Sequence, residues 1–373
     1  MKINVITTYS DKFVIGNNND IPWHYEEIDK YNDAIIQGCS SNVAVMGYNT
    51  YVSKGAIKNV VNIVITTKDL LELGGGCLLE NVKFVDSLGA CMELCNKMMY
   101  ENIFIIGGEQ MYGYFFMSYY YKFLDKVYIT RINKKYEGNK FFYGLEEKFY
   151  YIDVKKSDIY PEIEYRVLQY DCDLVNPEMV YLQKLQDLSI SDSLIFDNEL
   201  QQKIISSTYF KLKIDLSQYF PLFSVIKDVK NSILEKIFIS FKDNIIDATD
   251  SMELNLIGIK PYNSTYTFSI DNNNNSLSCN VNHIKGSVLN DILCNIIFSS
   301  LLVIFIAKIK KLKPYIVNYK CSNSYFLESE KYKIEKIAWN TPDVLPILKV
   351  KDRCQCKLED FIIDDLEFLG VKI

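Results

Sequence analysis

Val14-Ile15-Gly16-Asn17-Asn18-Asn19-Asp20-Ile21-Pro22-Trp23, with His24-Tyr25-Glu26-Glu27-Ile28-Asp29-Lys30-Tyr31 directly behind it, is the stretch whose reading decides the fold. A short apolar strand runs into a polar turn opened by Gly16. Pro22 then predicts a helix start, because the first turn of a helix does not need the N–H that proline lacks. Carboxylates in that turn suit the positive end of the helix dipole, so the helix brings Glu26, Glu27 and Asp29 close to a large apolar ring, Trp23. Partial desolvation of an acid against an aromatic tunes it for proton chemistry. An acidic helix start is also the ordinary signature of a solvated N-terminus. What sets this stretch apart is the order: Val-Ile-Gly, a polar turn, Pro-Trp, then acids.

Working outward, residues 3–8 have strand composition, and 42–46, 61–65 and 102–106 are short continuous apolar runs. Further strands are expected over 126–132 and 164–170. Continuous apolar strands alternating with helical stretches predict a largely parallel sheet buried on both faces. Two runs pass through glycine into a helix start, at Gly47-Tyr48-Asn49-Thr50 and at Gly107-Gly108-Glu109-Gln110-Met111-Tyr112, and Thr66-Thr67-Lys68 follows a third. Backbone N–H groups at such turns suit phosphates. Several along one sheet point to a nucleotide cofactor lying across strand ends.

These pieces, in this order, resemble dihydrofolate reductase over residues 1–170. The resemblance implies an α/β fold with a mostly parallel eight-stranded sheet, and a cleft where NADPH meets dihydrofolate. It implies that Glu27 is the acid that bonds the pterin and promotes protonation at its N5. Thr130 would bond that acid and the pterin, and Trp23 would order a water there. Ile6, Tyr31, Ile57 and Ile106 would line the pterin. Gly16, Gly47, Tyr48, Asn49, Thr50, Gly107, Gly108, Glu109, Gln110 and Tyr112 would hold the cofactor, with Thr66, Thr67 and Lys68 on its adenosine side. The acid's register stays open: the family's step from tryptophan to acid is longer than Trp23 to Glu27 and is met by Asp29. Glu27, however, leaves Ile28 and Tyr31 on apolar family positions.

Two departures touch charge. The arginine that clamps the glutamate tail of folate in the family falls on Val60, with Lys58 nearby but lacking the two-pronged geometry. A lost bond to a charged group is worth roughly 1.5–3 kcal/mol. The arginines of the two cofactor turns fall on Tyr48 and Gln110, which leaves Lys68 to meet a 2′-phosphate, so the choice between NADPH and NADH is open.

Length points to two domains. The 49% hydrophobic fraction is that of a globular protein, and a net charge of −6 without a long basic block argues against a nucleic-acid groove. Ten cysteines and two histidines match no zinc framework, so no metal is expected. With no leader at Met1-Lys2-Ile3-Asn4, the chain reads as cytoplasmic with reduced thiols. The apolar run 292–307 falls short of the ~20 residues that span a bilayer and reads as a buried core helix, so no membrane is expected. The basic cluster from Lys308 to Lys313 reads as its solvated end.

Residues 171–180, with Pro177 as a helix stop, read as a linker, and a helix is expected from Met179. Beyond it lie a strand at 210–216, a helix over 229–241, and a hairpin of 265–270 and 277–281 around an asparagine turn. Phe220-Pro221-Leu222, Leu277-Ser278-Cys279, Asn295-Ile296 and Leu358-Glu359-Asp360-Phe361 resemble thymidylate synthase, which in some lineages is fused behind dihydrofolate reductase. The resemblance implies a truncated α+β domain over 181–373. Its nucleophilic cysteine is missing from Pro261-Tyr262-Asn263, where a phenol cannot replace a thiolate. Ile284 and Ser287 stand where the family has a phosphate-binding arginine and an aspartate. Asn295 and Cys279 read as structural. Two readings follow: an NADPH-dependent dihydrofolate reductase whose inactive synthase-like half serves as a homodimer platform, or a non-catalytic relic kept for dimerisation or partner binding.

Overall fold

A computed structural model describes residues 2–18, 20–39, 41–68, 81–142, 145, 148–171, 174–190, 194–207, 209–223, 234, 255–256, 264–339, 345–351 and 361–369. The chain divides into two compact units, Met1–Asp173 and Leu174–Ile373.

Among the described residues, the first unit contains ten strands: β1 (Lys2–Ser10), β2 (Val14–Gly16), β3 (Asn42–Gly47), β4 (Val61–Ile65), β5 (Val82–Val85), β6 (Asn102–Ile105), β7 (Leu124–Ile132), β8 (Lys140–Phe141), β9 (Phe149–Lys156) and β10 (Ile163–Tyr170). Its helices are α1 (Glu26–Gln37), α2 (Tyr48–Lys54), α3 (Leu88–Lys97) and α4 (Glu109–Phe116). Eight strands form one sheet in the order β5-β4-β3-β6-β1-β7-β10-β9. The strands from β5 to β7 in that order are parallel to their neighbours, whereas β10 runs antiparallel to both β7 and β9. Val43, Ala44, Val45 and Met46 are each 0% exposed, the burial on both faces that an uninterrupted apolar run requires. The mixed α/β architecture and the eight-stranded sheet are those implied by the resemblance.

The helix start differs from expectation. Residues 22–25 stay outside the helix, Tyr25 is its extended N-cap, and α1 begins at Glu26. Pro22 therefore shapes the approach and not the first turn, while Glu26, Glu27 and Asp29 do occupy that turn.

The second unit contains α5 (Pro177–Ser189), β11 (Leu194–Asp197), β12 (Gln202–Ser207), β13 (Phe210–Asp215), β14 (Asn255–Leu256), β15 (Ser264–Asp271), β16 (Ser276–Ser287), α6 (Asp291–Lys310), β17 (Lys313–Leu327), α7 (Lys331–Ala338), β18 (Ile347–Val350) and β19 (Leu366–Leu369). Its main sheet runs β11-β12-β17-β16-β15-β14, and β13 also pairs with β17. The expected hairpin is β15–β16, closed over Asp271, whose Oδ1 accepts from Asn273 N at 2.9 Å. β16 and β17 are parallel and joined by α6, as a parallel pair demands a crossover. α6 is long and apolar enough to cross a membrane, and 83% of its most apolar stretch is buried within the protein. Pro177 does not stop a helix. It sits in the first turn of α5, where its missing N–H is harmless, and Asn176 Oδ1 caps that turn by accepting from Glu178 N at 2.9 Å. The linker is thus shorter than 171–180. The expected helix over 229–241 (Leu234 apart), Pro261-Tyr262-Asn263 and Leu358-Glu359-Asp360 lie outside the described residues.

Candidate active site

Helix α1 is set against the sheet through Ile28, Asn32 and Ile36, which are buried at successive i, i+4 positions. That register turns Glu27 and Tyr31 toward β10. The Glu27 carboxylate accepts a hydrogen bond from Ser157 Oγ at 2.8 Å. Ser157, buried in the β9–β10 connection, also accepts from Ile159 N at 3.1 Å and Tyr160 N at 2.9 Å, so its hydroxyl is held by the turn it closes. Tyr31 lies against the ring of Tyr165 with centroids 4.1 Å apart. Asp29, the alternative acid, faces outward: its side chain is 68% exposed and lies 3.6 Å from Lys54 Nζ.

Thr130 is not bonded to Glu27, contrary to the implied pairing. Its Oγ1 is buried and makes no hydrogen bond to the protein. In register it stands between Thr8 on β1 and Tyr165 on β10. Thr8 Oγ1 accepts from Asn32 Nδ2 at 3.4 Å, so Asn32 is the α1 residue that meets this row of the sheet. The Tyr165 hydroxyl is likewise buried and outside hydrogen-bond geometry, although Glu27 stands close beside it. Burial, then the neighbouring Glu27 carboxylate through hydrogen bonding and charge, holds this phenol's pKa well above its ordinary value. Burial raises Tyr31 to about 12. Trp23 is buried with Ile28, Ile132, Ile163 and Tyr165, its ring edge-on to Tyr136 at 5.5 Å.

Ile6, Ile57 and Val60 form a second buried cluster, against which Ile106 and Tyr48 pack. The loop bearing Ile57 and Val60 is stapled by buried Asn62: Ile57 N donates to its Oδ1 at 2.8 Å, and its Nδ2 donates to Ile57 O at 2.9 Å and Val60 O at 3.0 Å. Val60, where the resemblance leads one to expect a tail-binding arginine, is an apolar side chain only 7% exposed. Lys58 is exposed.

The glycine turns sit together. Gly47 N donates to Gly107 O at 2.9 Å. Gly108 is the N-cap of α4 and offers no side-chain cap, so the first-turn amides point outward. A Cβ on Gly108 would come within 3.2 Å of Thr50 Oγ1, and one on Gly107, whose φ is +113°, within 3.0 Å of Tyr112 Oη. Both positions are kept bare, which fits close approach of a dinucleotide's phosphates. Tyr112 Oη donates to Ile6 O at 2.6 Å, joining this turn to β1. Thr66 is buried and its Oγ1 accepts from Lys68 N at 3.1 Å. Asn49 and Thr67 are exposed. The Lys68 ammonium lies 4.1 Å over the Tyr48 ring, so the cation and the ring standing in for an arginine act as one surface. Gln110 is exposed, and Glu109 is engaged elsewhere, accepting from Phe141 N at 2.9 Å and lying 3.4 Å from Lys140 Nζ.

Those contacts tether α4 to the Gly16 turn, because Lys140 and Phe141 form β8, which pairs with β2. Gly16 is buried in that ribbon. A Cβ on Gly138 would lie 2.3 Å from Val14 Cγ1 and 2.5 Å from Gly16 O, so only glycine fits there. Gly138, Ser157 and Tyr165 carry much of this geometry, and no motif pointed to them.

The model of the family described as dihydrofolate reductase matches residues 2–171. Among curated proteins, the chain is similar to the dihydrofolate reductase of Bacillus subtilis, at 31% identity over 135 residues covering 36% of this chain and 71% of that one. It is also similar to that of Staphylococcus haemolyticus, at 29% over 143 residues (38% and 76%), and that of Drosophila melanogaster, at 28% over 158 residues (40% and 83%). The sheet, the paired glycine turns and these similarities place the chain, through residues 2–171, in the dihydrofolate reductase family.

Proposed function

We propose that the N-terminal unit reduces 7,8-dihydrofolate to tetrahydrofolate with NADPH. The observation that carries this reading is the pair of buried, unpartnered hydroxyls of Thr130 and Tyr165, adjacent in register and with the Glu27 carboxylate beside one of them. A buried polar atom without a partner costs roughly 1–3 kcal/mol, so a ligand with a polar edge is the natural complement. NADPH, when bound, would supply the hydride. Gly47, Thr50, Gly107, Gly108 and the α4 amides would hold its phosphates, with Thr66 and Lys68 on the adenosine side. Glu27 holds the proton destined for the pterin N5, Ser157 fixes that carboxyl, and Ile6, Ile57, Ile106 and Tyr31 bracket the ring. Trp23, itself buried, shields the acid from bulk water, which strengthens polar contacts inside the site. Calorimetric titration with NADPH and dihydrofolate tests the reading: saturable binding of both is expected, and binding of neither would overturn it.

We further propose that the second unit is a synthase-like domain without methyl-transfer activity, serving as a homodimer platform. What supports its inactivity is that Asn295, fully buried, is already engaged. It accepts from Tyr266 Oη at 2.6 Å and donates to Ser264 Oγ at 2.6 Å. Cys279 is buried in the β16 core, where burial pushes its thiol pKa upward. Sedimentation equilibrium tests the platform: a dimer is expected, and a strict monomer at micromolar concentration would remove it.

A further inference from the structure

Several buried tyrosines among the described residues have partners for their hydroxyls. Tyr112 donates to Ile6 O at 2.6 Å, Tyr181 to Val288 O at 2.9 Å and Tyr266 to Asn295 Oδ1 at 2.6 Å, while Tyr319 meets His283 Nδ1 at 2.5 Å. Tyr165 breaks the pattern: it is 7% exposed, and among the described residues it is the one tyrosine whose buried hydroxyl falls outside strict hydrogen-bond geometry, with the Glu27 carboxylate as its neighbour. Phenylalanine would serve equally if only packing against Tyr31 were required. Glu27 neighbours this hydroxyl, and Thr130, whose Oγ1 is also buried without a partner, is the residue opposite Tyr165 in register.

We infer that Tyr165 is a catalytic residue that meets the nitrogen edge of the bound ring and relays the proton of Glu27 to it. This rests on the reductase reading above. An ionised carboxylate only accepts, and a phenol both donates and accepts. With Glu27 ionised, Tyr165 donates to it and turns its lone pairs toward a ring N–H or amino group. With Glu27 protonated, the direction reverses and the phenol O–H faces a ring nitrogen. The step then balances: the Glu27 O–H breaks as its proton passes to the phenol oxygen, while the phenol's own proton forms the new ring N–H. Glu27 ends as a carboxylate, Tyr165 is unchanged, and the hydride comes from the reduced nicotinamide. Ser157, already donating to Glu27, keeps the carboxyl facing this relay.

The test compares the full-length parent with Tyr165→Phe, Glu27→Gln and the double variant. Removing an unpartnered buried hydroxyl should raise the Tm of the ligand-free protein by about 2–4 °C. It should also lower kcat by roughly 10–100-fold with a smaller change in KM. Members of one relay act in series, so the double variant should be no slower than Glu27→Gln alone. An active parent whose Tyr165→Phe variant keeps its kcat, or losses that multiply in the double variant, would overturn the relay and leave the reductase reading standing. A parent with no turnover at all would overturn both.

Discussion

Ser157 Oγ and the Glu27 carboxylate, 130 residues apart in sequence, meet in a 2.8 Å hydrogen bond that points the acid at β10 instead of at Thr130. Ser157 can hold this position because two backbone N–H groups, of Ile159 and Tyr160, fix its oxygen from behind. Ser157→Ala strips the carboxylate of its donor and leaves both amides without their acceptor. The expected result is a loss of about 1–3 kcal/mol in unfolding free energy together with a several-fold fall in kcat, read by thermal melts and steady-state rates. A variant as stable and as fast as the parent would show the bond to be incidental.

Lys68 is the cation proposed to meet a 2′-phosphate, and it is braced on the Tyr48 ring. A charge-assisted bond of roughly 1.5–3 kcal/mol corresponds to about a ten- to hundred-fold change in affinity. Lys68→Ala should therefore raise KM for NADPH by that order and leave KM for NADH nearly unchanged. Equal effects on the two coenzymes would remove Lys68 from the phosphate.

Val60, which the resemblance matches to a tail-binding arginine, is buried in an apolar cluster. The site should then discriminate weakly between dihydrofolate and dihydropteroate, which lacks the glutamate. KM values for the two within about threefold are expected, well under the ten-fold that one charge-assisted bond provides. A strong preference for dihydrofolate would mean that another cation, such as Lys58, has taken over the clamp.

In the second unit, burial holds the His283 pKa below its ordinary 6.5, against the opposing pull of Asp291, with Tyr319 as its hydrogen-bond partner. Below that ordinary value the unfolded imidazole takes up a proton that the folded one refuses. The unfolded state then binds more protons, and stability falls as the pH drops from about 7 toward the folded value. Thermal midpoints of the full chain should decline over that range, and His283→Gln should flatten the decline. An unaltered slope in the variant would place the sensitivity elsewhere.

Much of the sheet was legible because β3, β4 and β6 are largely buried and read as short continuous apolar runs, while β1 showed in its strand composition. The glycine turns could be read because a strand passing through glycine into a helix is a local signal. What escaped reading was long-range or marginal. β5, Val82-Lys83-Phe84-Val85, is a four-residue strand broken by a lysine, and β9 lies at the edge of the sheet with several exposed positions. Pro22 was misplaced because proline equally suits the extended approach to a helix, and Pro177 because its missing N–H suits a helix start as well as a stop. Ser157, Tyr165 and Gly138 act across 100 or more residues (Ser157 and Glu27 are 130 apart), where no local pattern can register them. The Glu27–Thr130 bond, implied by resemblance alone, gave way to the register of α1.

In the proposed reaction Glu27 supplies the proton for reduction of dihydrofolate. Nicotinamide absorbance, followed with purified full-length protein, NADPH and dihydrofolate, measures it most directly in the parent and in Glu27→Gln. Oxidation by the parent and a drop of roughly 10²–10⁴-fold in the variant are expected from this role of Glu27. An unchanged rate in Glu27→Gln, or no oxidation by the parent at any substrate concentration, would contradict it.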